Sequence, residues 1–226
     1  MAHEGRQIVI PTQVLGDTAT CKAGRGTFVE RGKIYAERLG ILNVQGNIIN
    51  VIALKGRYDP VVNDFVIGIV EEAATSNWMV DINAPYPALL HVHEVPWEIE
   101  FGDTEKYLNT GDAILAKVLS VDESKKLQIT LNDRNLFKIK GGHIIEVESS
   151  IVPRIIGKSG SMIDLIKKYT RCRIFVGQNG RIWIDGDAEG IEKVLQAINK
   201  IESEAITFGL TARMEELLKK DAKDVR

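Results

Sequence analysis

The chain has 226 residues, 44% of them hydrophobic and 27% charged, with a formal net charge of -2. That composition excludes a disordered chain, and the near-neutral charge means that any nucleic-acid binding must come from a local patch. No apolar run approaches the ~20 residues that cross a bilayer, the segment Met1 to Gln7 is too polar for a secretory leader, and two cysteines far apart in sequence, Cys21 and Cys172, argue against a disulfide framework and for a reducing cytoplasm.

Residues 1–60 read as a β-rich domain. Ile8 to Ile10 is stopped by Pro11, and the apolar runs Ile34 to Val44 and Ile48 to Leu54 are separated by Gln45-Gly46-Asn47, which supplies the positive φ of a tight turn. Gly24-Arg25-Gly26-Thr27 precedes no clear helix and reads as a plain turn rather than a phosphate cradle. A linker is expected at Lys55 to Pro60.

Residues 61–134 carry five short apolar runs: Val66 to Val70, Trp78 to Ile82, Ala88 to Val92, Ile114 to Val121 and Leu127 to Leu131. Strands so short and so many suggest a small closed barrel, in which no strand edge is left exposed. Trp78 shares parity with Val80 and Ile82 and is assigned to the core, with Met79 on the opposite face.

Residues 135–206 change character. Ile144 to Val147 reads as a strand. Pro153 suits a first helical turn, and Ser161 to Asp164 matches a capping box ahead of helically spaced Met162, Leu165, Ile166 and Tyr169. Arg173 to Val176 and Arg181 to Ile184 form a hairpin turning at Asn179-Gly180, and Ile191 to Ile201 marks an amphipathic helix. Residues 207–226 read as a final polar helix or tail.

The strongest motif is Gly157-Lys158-Ser159-Gly160 between two short helices. Two glycines let backbone approach a sugar-phosphate chain, with helix N–H groups and Lys158 facing the phosphates. From Arg154 to Arg173 six basic residues (Arg154, Lys158, Lys167, Lys168, Arg171, Arg173) face a single acid, Asp164. A nucleotide-binding P-loop would need glycine where Val152 stands, which removes the main ATPase reading. His91 and His93 are expected to share one face of a strand, but no further ligands accompany them, so no metal site is expected. No catalytic constellation and no cofactor motif is present.

Over most of residues 142–205 the chain resembles a KH domain of βααββα order. The resemblance implies that Gly157 to Gly160 clamps the backbone of about four nucleotides, with Ile156 beside the bases. From Asp64 to Asp133 the chain is similar to the S-one-type OB-fold repeat. Val66 to Val70, Trp78 to Ile82, Leu89 to Val92, Gly111-Asp112 and Val121-Asp122 carry that likeness. It implies RNA contacts at His91 and Lys126, with Asp122 beside them, and places Ser76 and Met79 where two stacking aromatics belong. Losing both would weaken the barrel's grip, because each stacked base is worth ~1–3 kcal/mol.

The combination is similar to the KH-containing RNA-binding cap subunits of the archaeal exosome. The implied fold is multidomain, mainly β plus α+β: an N-terminal β domain, a five-stranded OB barrel and a KH domain. The implied function is non-catalytic recruitment of single-stranded RNA. Three copies would sit on a hexameric ring of two phosphorolytic ribonuclease-type subunits and thread RNA into it. Two other classes remain: a free-standing RNA-binding regulator, for example of translation, and an enzyme akin to the two-module tails of polynucleotide phosphorylases.

Overall fold

The computed structural model describes residues 7–54, 56–100, 102–122, 126–204 and 210–221. Lys55 of the expected linker, and residues 207–209 and 222–226 of the expected tail, lie outside them. Residues 1–56 and 57–226 form two compact units.

Among its described residues the first unit has seven short strands: β1 (Ile8–Val9), β2 (Val14–Asp17), β3 (Lys22–Ala23), β4 (Thr27–Glu30), β5 (Lys33–Ala36), β6 (Gly40–Gln45) and β7 (Ile48–Ala53). They form two sheets, ordered β1-β6-β7-β3 and β2-β5-β4. Gly46 and Asn47 make the β6–β7 turn, with Gly46 at φ 61°. The loop at Gly24 to Thr27 is knitted to β7: Gly24 N–H donates to Ile49 O at 2.8 Å and Val51 N–H to Arg25 O at 2.8 Å. Its backbone is spent on the sheet, as the plain-turn reading requires. The core is small, built on Val9, Ala36 and Val51. Much apolar surface therefore stays outside, and cross-strand pairing aligns Ile8, Ile41 and Ile52 in one row across β1, β6 and β7.

In the second unit β8 (Phe65–Ala73), β9 (Asn77–Asp81), β10 (Ala88–His91), β11 (Ala113–Val121) and β12 (Leu127–Thr130) form the barrel. The order is β12-β10-β9-β8-β11, and β12 pairs back onto β11 to close it. Alternation puts Val66, Val70, Trp78, Val80, Leu90 and Ile129 inside. The Trp78 indole N–H donates to Leu108 O at 3.1 Å, so this core tryptophan leaves no unmet donor. Tyr58 is not linker: it is buried in the barrel core, with its hydroxyl 2.7 Å from Asp64. The two-residue strand β13 (Phe137–Lys138) adds to β11 beyond β12. Lys138 reaches inward to Asp112 at 2.5 Å. Burial alone would raise the Asp112 carboxyl, but the Asn109 N–H and the Lys138 ammonium outweigh it and hold the group below its ordinary value.

The KH segment follows as β14 (His143–Glu146), α1 (Val152–Ile156), α2 (Ser161–Thr170), β15 (Arg173–Val176), β16 (Arg181–Asp185) and α3 (Ala188–Ser203). The sheet order is β14-β16-β15, all antiparallel. A last helix, α4 (Leu210–Asp221), buries Leu210, Met214 and Leu218 in the same core as α2 and α3. The final helix expected from sequence is thus present over these residues, but it is amphipathic rather than polar and completes the KH core. The capping box is also corrected: Ser161 is the first helical residue, the cap position is Gly160 in the left-handed region, and no side chain caps the helix.

Both faces of the KH sheet are covered. Ile174, Val176, Ile182 and Ile184 face the helices, whereas Ile144, Phe175 and Trp183 pack against the barrel. The junction turns on a mismatch of strand lengths. β9 ends at Asp81, opposite Ile69, so the start of β8 has no strand on that side. The hairpin loop Gly177 to Gly180 takes the place. Gln178 N–H donates to Phe65 O at 2.9 Å. The Asn179 side chain accepts from Ile67 N–H at 3.2 Å and donates to Ile67 O at 2.8 Å and Ile82 O at 2.9 Å. Arg181, almost fully buried, adds a bond to Asp81 O at 2.7 Å and ion pairs with Asp81 and Glu146.

Replacing Asn179 by Ala strands the Ile67 and Ile82 backbone groups in a buried interface. The expected cost is on the order of 3 kcal/mol, read as a fall in melting temperature of roughly 6–12 °C in a unit of this size. Calorimetry checks it; an unchanged melting temperature would show that Asn179 does not hold the junction.

Candidate RNA-binding surface

The loop Gly157 to Gly160 is built by backbone conformations that ordinary residues avoid. Gly157 has φ 75°, Ser159 φ 52° and Gly160 φ 83°. A Cβ on Gly157 would stand 2.7 Å from both Met162 N and Met162 Cβ, so glycine is required by space as well as by φ. The result is a tight connection that presents Lys158 and Ser159 to solvent, with Ile156 half-buried against the KH core just before it.

The exposed stripe of α2 continues from this loop through Ser161, Asp164, Lys167 and Lys168 to Arg171, which caps the helix in the left-handed region. Lys167 lies about 10 Å along the axis from the loop. Lys168 sits near α4, because after Lys219 it helps to hold the Glu215 carboxyl below its ordinary value. Arg154 is half-buried on α1, the helix just before the loop. Arg173 does not. It shares parity with Phe175 on the sheet face turned away from the helices, ion-pairs with Asp185 and lies over the Trp183 ring at 5.6 Å. The six cations adjacent in sequence therefore divide between two faces.

On the barrel, Met79 of β9 points outward and is half-buried, paired with Leu89 of β10. His91 pairs with Asn77, two residues along, so Met79 and His91 are diagonal neighbours on one outer face, about 7–8 Å apart. Ser76 precedes the strand, and its carbonyl accepts from Val92 N–H at 3.1 Å. Lys126 is exposed in the β11–β12 hairpin, where its N–H donates to Asp122 at 2.8 Å. β10 and β12 are parallel, with Ala88 opposite Leu127. Lys126 is thus at the other end of the barrel from His91, roughly 13 Å away along the strands. Exposed Glu72 is opposite Met79.

His91 and His93 are near each other, with ring centroids 5.0 Å apart, but not because they alternate on a strand. The strand ends at His91, whose Nδ1 accepts from His93 N–H at 3.3 Å at the start of a short helical turn. Among the described residues no group of three or more metal-ligating side chains converges.

Comparison with known proteins agrees with this three-part layout. The family model described as the exosome RNA binding protein RRP4 N-terminal domain matches residues 6–55, that of the RRP4 S1 domain residues 57–100, and that of the KH domain residues 142–190. The exosome complex component Rrp4 of Methanosarcina mazei is 48% identical over 216 residues, covering 96% of this chain and 83% of its own. That of Thermoplasma acidophilum is 44% identical over 217 residues, covering 95% and 90%. The chain belongs to the Rrp4 family of exosome complex components. A crystal structure of an exosome complex RNA-binding protein superposes with a TM-score of 0.68 at 34% identity, covering 76% of this chain and 100% of that one. The hairpin expected from sequence is present, with Asn179 in its turn; the part that Asn179 plays as the bolt between two modules was not legible there.

Two substitutions test the surface. Replacing Lys158 and Ser159 by aspartates puts negative charge where a phosphate would lie and leaves both glycines in place. RNA affinity should fall and its salt dependence flatten; a filter-binding titration indistinguishable from that of the natural chain would remove the loop from the site. Met79→Phe restores an aromatic on an outward, half-covered position, so it should gain up to ~1–3 kcal/mol on short single strands without lowering the melting temperature. A destabilised protein with no gain in affinity would mean that this face is not the stacking face.

Proposed function

We propose that this chain is a non-catalytic RNA-binding cap subunit of an exosome, which gathers single-stranded RNA and delivers it to a 3′-to-5′ phosphorolytic nuclease ring. The observation that carries this reading is the solvent-facing glycine loop with Lys158 at its tip and Lys167, Lys168 and Arg171 trailing along α2. It is a backbone-shaped, cationic surface suited to a phosphate chain and indifferent to sequence. His91 and Met79 on the barrel would add a weak second contact.

The N-terminal unit supplies the means of attachment. Its strands and the turns beside them expose Ile8, Ile10, Leu39, Ile48 and Ile52, with Ile10 at 61%. So much apolar surface on so small a unit marks a protein-docking face. Three copies on a hexameric ring would place three weak sites around one entrance, and the effective concentration of RNA there would rise without any single tight site. A cytoplasmic setting suits the free thiols of Cys21 and Cys172, and no helix among the described residues is long and apolar enough to cross a membrane.

Deleting residues 1–55 should leave a folded fragment, because residues 57–226 are compact by themselves. That fragment is expected to keep most of its RNA affinity and to lose co-elution with the nuclease ring in size-exclusion chromatography. Full ring binding by the fragment would move the docking face elsewhere. A natural chain that binds RNA but captures no ring subunits from a native extract would favour a free-standing regulator.

A further inference from the structure

A phenylalanine on a strand that borders a packed interface is normally covered, yet Phe137 is 43% exposed. It stands on β13 opposite Leu115, with its neighbour Lys138 turned inward to Asp112. Its ring meets that of Trp183 edge to face, with centroids 6.1 Å apart. Trp183 is rigidly held: it is buried at the barrel junction and its indole N–H donates to Gly141 O at 2.9 Å. Over the same indole lies the Arg173 guanidinium, its side chain 75% exposed and its orientation fixed by Asp185. An exposed ring, a braced indole and a pre-oriented cation thus meet at the surface.

The charge around them has one sign to spare. Lys140 and Arg134, three residues to either side of Phe137, are both exposed. The neighbouring carboxylates are already engaged: Asp185 by Arg173, Asp133 by Lys117 at 3.7 Å, and Asp187 by the Gly190 N–H at 2.7 Å. The chain itself leads from the glycine loop toward this place, through α2 into β15. The cationic stripe of α2 ends at Arg171, two residues before Arg173, after a helix of about 15 Å. A strand clamped at Gly157 to Gly160 and following that stripe would cross the β15 edge of the sheet to reach Arg173 and Phe137 on the opposite face.

We propose that Phe137, with Arg173 and Lys140 beside it, is a base-stacking site for single-stranded RNA, occupied by nucleotides beyond those held at the glycine loop. The proposal rests on the RNA-binding reading above. It gives the divided set of cations a common ligand. Stacking on an aromatic face tolerates any base, and an adjacent guanidinium adds a cation–π or phosphate contact. The outward barrel face, with Met79 in place of an aromatic and Glu72 opposite it, is the poorer stacking platform.

The test uses the full chain and oligoadenylates of two lengths, one of about four residues that fills only the loop clamp and one about three times longer. Phe137→Leu keeps an apolar side chain against Trp183. It should leave the short oligomer unaffected and weaken the long one by roughly five- to hundredfold. Phe137→Trp should retain the long-oligomer affinity. The doubly aspartate-substituted loop should lose both. Long-oligomer binding by Phe137→Leu equal to that of the natural chain overturns the proposal, as does equal weakening by the Leu and Trp variants, which would assign Phe137 to packing alone. Absence of binding to either oligomer by the natural chain would instead fail the RNA-binding reading itself, and this proposal with it.

Discussion

Strand β8 outruns its neighbour β9, and the arrangement of the barrel and KH modules depends on how that surplus is satisfied. The free edge is fully buried at Ile67, so the N–H and C=O groups there cannot turn to water, and each left unpaired would cost ~1–3 kcal/mol. One asparagine side chain meets most of the demand. Ile67 N–H can only donate, so it fixes the carboxamide orientation; both Nδ2 hydrogens are then used by Ile67 O and Ile82 O. Asn179 acts as a fragment of strand backbone supplied from another module. Arg181 seals the seam with two carboxylates, and Trp183 fills it. The outcome is one compact body in which the KH loop is held at a set place relative to the barrel.

Two loops in this chain share the same glycine spacing and have opposite fates. Gly177-Gln178-Asn179-Gly180 is buried: a Cβ on Gly180 would lie 2.3 Å from Val147 O. Gly157-Lys158-Ser159-Gly160 faces solvent at the start of a cationic helix. Spacing alone does not separate them. The neighbours do: Asn179 is a side chain that satisfies backbone, whereas Lys158 is one that belongs in water beside an anion. The functional reading therefore rests on side-chain chemistry and exposure, with the glycines supplying only the backbone shape.

The elements whose signals are local were legible in the sequence. Barrel strands alternate around Trp78, the KH order follows from Pro153, the glycine loop and Asn179-Gly180, and the turn at Gly46 needs no tertiary information. What escaped was set by distant partners. Ser161 looked like a helix cap, but Gly160 in the left-handed region already turns the chain. Arg173 lies close in sequence to Arg171, yet strand parity sends it to the other face. His91 and Lys126 belong to one motif by resemblance, but parallel pairing of β10 with β12 parts them. One cue to the junction was present: Ile174-Phe175-Val176 and Ile182-Trp183-Ile184 are apolar without alternation, the pattern of a sheet buried on both faces.

Hydrogen exchange of the full chain with and without a long oligoadenylate tests the central claim most directly, because it reports every backbone segment at once. The account predicts added protection at Gly157 to Gly160 and along α2, a smaller gain around Phe137 to Gly141, and none in the strands from Ile8 to Ala53. Protection concentrated in the N-terminal strands, with the Gly157 to Gly160 loop unchanged, would contradict it.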